Sequence, residues 1–100
     1  MTETVIATYR VKPGCEAEFV ALLERHWPTL RRLDLVTEEP PRAYAGRDPA
    51  GKPYFVEIFV WRDREAVAAA HEHPDVAAIW NPMGELCASM DFPHVQPLEL

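Results

Sequence analysis

Glu57 poses the clearest chemical question in this chain. It stands in YFVEIFVW (54–61), where a strand places it on one face with Phe55, Phe59 and Trp61. A carboxylate among aromatic rings must be paired, hydrogen-bonded or protonated. One reading makes it a structural ion pair or interface contact, with Arg10 or Thr8 on a neighbouring first strand as its partner. The other makes it a polar group lining a ligand pocket, where it takes a proton. Histidine supplies the second candidate. In AAAHEHPDV (68–76), His71 follows Val67 by four residues and so shares the more apolar side of a helix. It reads either as a core or interface histidine or as a pocket base. His71 and His73 do not make a metal site. At i and i+2 on a helix they point about 200° apart, whereas helical zinc pairs use i and i+4. His73 reads as a last-turn residue, where a cation suits the helix dipole.

The other reactive side chains carry less. Cys15 opens a helix, where the dipole favours an anion, but no histidine or second cysteine lies near it in the sequence. Cys87 reads as core, and His26, beside Trp27 on the first helix, as a packing residue. Trp80 reads as core or as a platform for a ring, and His94 faces either a neighbour or water.

Composition narrows the classes. A 100-residue chain with 48% hydrophobic and 26% charged residues is an ordinary globular chain, expected to form one domain over 1–100. So short a chain buries a modest core and gains from dimerisation. A net charge of −6, with no Lys/Arg stripe, argues against nucleic acid as a partner. No apolar run approaches the roughly 18 residues of a membrane span, and MTETVIATYRV lacks the basic-then-apolar pattern of a signal peptide. Two cysteines make no disulfide framework, so reduced thiols and a cytoplasmic location are expected.

The elements that must position these residues follow from periodicity. TVIATYRV (4–11) reads as a strand and KPG (12–14) as a turn. A helix from about Cys15 places Phe19, Leu22, Leu23, His26, Leu30 and Leu33 on one face, with Pro28 expected to kink or break it near Trp27. RAYAGR (42–47) and YFVEIFVW (54–61) read as a hairpin across DPAGKP, in which Gly51 can take a positive φ. Asp63 caps a helix over 64–73; Pro74 and Asp75 open another, interrupted at Pro82 and ending near Cys87. FPHVQPLEL (92–100) reads as a final edge strand. The order predicts an α+β, ferredoxin-like βαββαβ fold with a four-stranded antiparallel sheet and helices on one face. Residues 54–61 are largely apolar on both faces, which predicts cover on both sides. Helices supply one side, and a second copy of the sheet in a two-fold homodimer supplies the other. The large aromatics beside Glu57 then leave room for a shared cavity.

VIATYRVKPGCEAEF resembles the first strand, turn and helix start of the antibiotic biosynthesis monooxygenase family. FVEIFVWRDREAVAAAH resembles its third strand and following helix, with a Trp ending the strand, an acidic cap and a His ten residues after the Trp. The resemblance covers nearly the whole chain. It implies a dimeric α/β barrel of two sheets, with a pocket between sheet and helices in each subunit. It also implies the activity of some members, the oxidation of phenols to quinones by O₂ with neither metal nor flavin. On that reading Phe59, Trp61 and Trp80 hold a small aromatic ligand, His71 or Glu57 takes the proton, and Arg10, Tyr9 or Tyr44 steadies the oxyanion. Haem-degrading relatives carry a Trp and a ligating His where this chain has Ala70 and Trp80, so their signature is missing. A non-catalytic module binding a small aromatic molecule or a partner protein, and an isomerase of ring metabolites, are the rival functions.

Overall fold

Alternation of inward and outward side chains sets the two long strands. In the computed structural model, which describes residues 1–100, strand β1 (Glu3–Val11) buries Val5, Ala7, Tyr9 and Val11 on one face. Helix α1 (Glu16–Arg32) and strands β2 (Arg42–Arg47) and β3 (Pro53–Trp61) follow. Then come helices α2 (Arg64–Glu72) and α3 (Pro74–Leu86) and strands β4 (Cys87–Asp91) and β5 (His94–Val95). The strands form one antiparallel sheet in the order β2-β3-β1-β4, with β5 also paired to β1. This is the expected ferredoxin-like arrangement with a fifth, two-residue strand added.

A short strand, β5, lies within the expected edge segment 92–100, but the longer β4 comes before it, where the sequence predicts none. Pairing starts at Cys87, where the chain leaves α3 directly into extended geometry (φ −107°, ψ 139°), and not at 92. Pro93 has no N–H to donate, so the ladder breaks there; its carbonyl still accepts from the Ile6 N–H at 3.0 Å. Both internal prolines were expected to interrupt their helices, yet α1 passes through Pro28 and α3 through Pro82. The carbonyls that lose a partner belong to Glu24 and Ala78, and both residues are exposed. Water can therefore satisfy these groups, while the buried residues on either side hold each helix in place.

The helices cover one face of the sheet. Tyr9, Phe19 and Phe55 stack with centroids 4.9 and 5.0 Å apart in one half of the core. Val5, Phe59 and Trp61 meet Leu30, Ala66, Ala70 and Val76 in the other. Ala66 and Ala70 are one turn apart, and their small side chains bring α2 close to the sheet. The register settles which face of β3 is which. Phe59 pairs with Val5 and Glu57 with Ala7, so Phe55, Glu57, Phe59 and Trp61 lie under the helices. The cavity beside these aromatics is thus within one chain, and not the space between sheets that the strand pattern suggested. The other face carries Tyr54, Val56 and Ile58, all half-buried, beside Ile6. Thr8 and Arg10 pair with Val56 and Tyr54 and point to that second face, away from Glu57. Arg10 instead reaches Asp48 at 3.2 Å and lies over the Tyr54 ring. No helix is long and apolar enough to cross a membrane.

Phe19 is completely buried against Tyr9 and Phe55. Phe19→Ala is expected to lower unfolding stability by about 3–5 kcal/mol in urea denaturation, the range for an uncompensated aromatic cavity.

Candidate active site

A cavity of about 410 Å³ opens between the helix-covered face of the sheet and the helices. Its deep wall comes from Val5 and Tyr9 on β1, His26 on α1, Phe59 and Trp61 on β3, and Met83 on α3. Val67 and His71, one turn apart on α2, flank the buried Ala66–Ala70 stripe and face the same space. Trp80 from α3 stands between them and the floor, and its ring meets that of His71 edge-on at 4.9 Å. Met90, Phe92 and His94, all exposed, close the remaining side.

Two polar side chains in the whole chain are fully buried, Glu57 and His26, and they are bonded to each other. His26 Nδ1 lies 2.9 and 3.1 Å from the two Glu57 carboxylate oxygens. The Tyr9 hydroxyl donates to the same carboxylate at 2.9 Å. On the far side of the imidazole, the Trp80 indole N–H donates to His26 Nε2 at 2.8 Å. An indole nitrogen can only donate, so Nε2 must be the bare acceptor and Nδ1 carries the proton given to Glu57. The line Tyr9–Glu57–His26–Trp80 is therefore assigned as an ionised carboxylate taking two donors, with a neutral imidazole passing the interaction on to the cavity wall. Every member has a partner, which a buried carboxylate requires. Burial, followed by the Glu57 charge, holds the Tyr9 phenol far above the usual tyrosine range.

The structure gathers some of the predicted residues and separates others. Phe59, Trp61, Trp80 and His71 line the cavity. Glu57 sits directly behind its wall and reaches it only through Tyr9 and His26. Arg10 and Tyr44 lie on the opposite face of the sheet, with Tyr44 exposed and paired to Val56. His71 is exposed at the rim, and not a core residue. His73 closes α2 as its C-cap and, by accepting the Asp75 N–H on its Nδ1 at 3.1 Å, also caps the start of α3, a second role the sequence reading did not give it. His26 was read from the sequence as packing and proves to be the hub of the network. The signal for it was present: a lone histidine on the buried stripe of α1 and a lone carboxylate on the buried face of β3 each needed a partner. His94 turns toward the cavity and meets Glu3 at 3.2 Å.

The Tyr9 shift gives a pH prediction. A group whose folded pKa is raised contributes stability that is fully present below its unfolded value, near 10, and is lost as pH climbs toward the folded value. Above about pH 10, Tyr9→Phe is therefore expected to lose stability less steeply than the parent chain. At neutral pH the variant should be about 1–3 kcal/mol less stable, because Glu57 loses a donor. Urea melts between pH 7 and 11 check both effects; parallel alkaline slopes would contradict the first.

No protein-family model matches the chain, and no curated protein matches it in sequence. Solved structures do. SnoaB from Streptomyces nogalater, a cofactor-independent oxygenase, is 19% identical, with a TM-score of 0.74 over 99% of this chain and 95% of its own. A crystal structure of an antibiotic biosynthesis monooxygenase superposes with a TM-score of 0.77 at 17% identity, covering 99% of this chain and 100% of the other. Rv0793 from Mycobacterium tuberculosis is 20% identical, with a TM-score of 0.68 over 100% and 98% of the two chains. The chain has the ferredoxin-like α+β fold of the antibiotic biosynthesis monooxygenases.

Proposed function

We propose that this chain is a cofactor-independent monooxygenase that draws a small phenolic ring into the cavity. The observation that carries the reading is the Glu57–His26 pair, a buried carboxylate–imidazole hydrogen bond of 2.9 Å at the wall of an otherwise apolar cavity. A carboxylate behind an imidazole holds it in one tautomer and steadies the charge it gains on taking a proton. Likeness in fold to SnoaB, a cofactor-independent oxygenase, supports the same reading.

The chemistry asks little beyond this. A phenol that gives up its proton becomes an electron-rich anion, and the anion passes electrons to O₂ directly. One oxygen atom enters the ring, the other leaves as water, and the phenol becomes a quinone; the substrate itself supplies both reducing electrons. Phe59, Trp61 and Trp80 provide flat apolar surface and keep water out. His26 accepts the proton at the floor, with Glu57 as its positioning residue. His71, exposed at the rim with its ring against Trp80, takes the proton out to solvent.

In this reading the active species is a homodimer. The sheet face of Ile6, Tyr44, Tyr54, Val56 and Ile58 has no helix over it, and a second copy packed face to face would bury it. Val56→Glu is expected to give a monomer in analytical ultracentrifugation at micromolar concentration, with the parent chain a dimer; a monomeric parent would sink the dimer.

Oxygen uptake with a panel of anthrones and naphthols tests the activity. At least one is expected to be oxidised to its quinone. Glu57→Gln should slow that turnover by about 10²-fold or more, because the base His26 loses the carboxylate that orients it and steadies its charge, and His71→Ala by less. Ring binding without oxidation of any member would reduce the cavity to a ligand-binding site.

A further inference from the structure

At His26 and Tyr9 the cavity floor presents lone pairs and no spare protons. The single proton of the His26 ring is committed to Glu57, and the Tyr9 hydroxyl proton is committed there as well. A ligand arriving from the cavity therefore meets two acceptors, His26 Nε2 and the Tyr9 oxygen. One of them is already in use. Trp80 gives its indole N–H to Nε2 at 2.8 Å, and the indole can do nothing but donate. Trp80 is only half-buried, and it borders open cavity. Its ring also meets those of His71 at 4.9 Å, His26 at 6.2 Å and Trp61 at 6.4 Å, and one side of it packs against both halves of the core. No lysine or arginine lines the space to balance an anion.

We propose that Trp80 occupies, in the free protein, the place of the ligand's own hydrogen-bond donor, and that the cavity selects flat aromatic molecules bearing an O–H or N–H which replaces the indole at His26 Nε2. The inference rests on the ring-binding reading above and deepens it. Exchanging one donor for another on the same acceptor costs little. A ring without a donor either leaves Trp80 in place and gains nothing at the floor, or displaces it and strands a buried acceptor. Ligands that carry only ether or carbonyl oxygens, or a carboxylate, are thus disfavoured. Glu57 sets this preference from behind, because it holds the imidazole proton on Nδ1.

Three probes of nearly one shape make the test: 2-naphthol, 2-methoxynaphthalene and 2-naphthoate. The ether is the more apolar of the first two, so binding by buried area alone predicts that it wins. The expected result is the reverse, with 2-naphthol bound about tenfold more tightly than either of the others. The second readout is the exchange of indole N–H protons with water, followed by NMR. The chain has three tryptophans, and Trp80→Phe identifies the Trp80 signal by its disappearance. Saturation with 2-naphthol is expected to speed exchange at Trp80 and not at Trp27. The ether should leave Trp80 protected. Trp80→Phe, with nothing to displace, should bind 2-naphthol several-fold more tightly than the parent. Equal or tighter binding of the ether, or naphthol bound with Trp80 still protected, overturns the proposal and leaves the ring-binding cavity intact. Failure of all three probes to bind overturns both.

Discussion

The hydrogen bond between Glu57 and His26 is the constraint around which this molecule is arranged. A carboxylate taken out of water loses a large hydration energy, and only full satisfaction of its oxygens makes that tolerable. Glu57 meets the demand with a donor from β1, Tyr9, and a donor from α1, His26. The pair therefore locks a helix onto the sheet at a defined rotation and height. It also decides what the cavity presents. The imidazole proton is spent on Glu57, so a lone pair is left facing the ring-lined space, and Trp80 is drawn onto it. Polarity is delivered to an apolar pocket without placing a charge on its surface.

The rest of the fold makes this geometry repeatable. The antiparallel register of β1 and β3 puts Tyr9 and Glu57 on the same covered face, and Phe59 and Trp61 one and two pleats further along it. The two alanines of α2 let that helix settle close, and Val67 and His71 then turn their side chains to the cavity as neighbours in the next row. The junction at His73 and Pro74 starts α3 at once, and α3 brings Trp80 back over the pocket. Apolar packing holds the walls, while one small polar network sets their chemistry.

Much of this was legible before any coordinates. Asp63 caps α2 as its position suggested, accepting the Ala66 N–H at 2.8 Å. Gly51 takes the positive φ that the β2–β3 turn demands. Other points followed from contacts that local pattern does not encode. Proline chemistry predicts broken helices at 28 and 82, but tertiary packing kept both helices whole. Arg10 looked like the partner of Glu57 because both are charged and their strands adjoin. The register sends them to opposite faces, since neighbouring positions on a strand alternate.

By itself, the sequence determined the order of elements, the aromatic strand face and the presence on it of one carboxylate needing a partner. These are matters of local periodicity and of the cost of burying charge, and both can be read from residue types alone. Only the tertiary structure decided that the partner is His26 and that Trp80 closes the line. Those facts depend on which faces meet when residues 26, 57 and 80, far apart in the chain, come within hydrogen-bond distance. That is set by strand register and by the rotation of each helix against the sheet, which no single segment specifies.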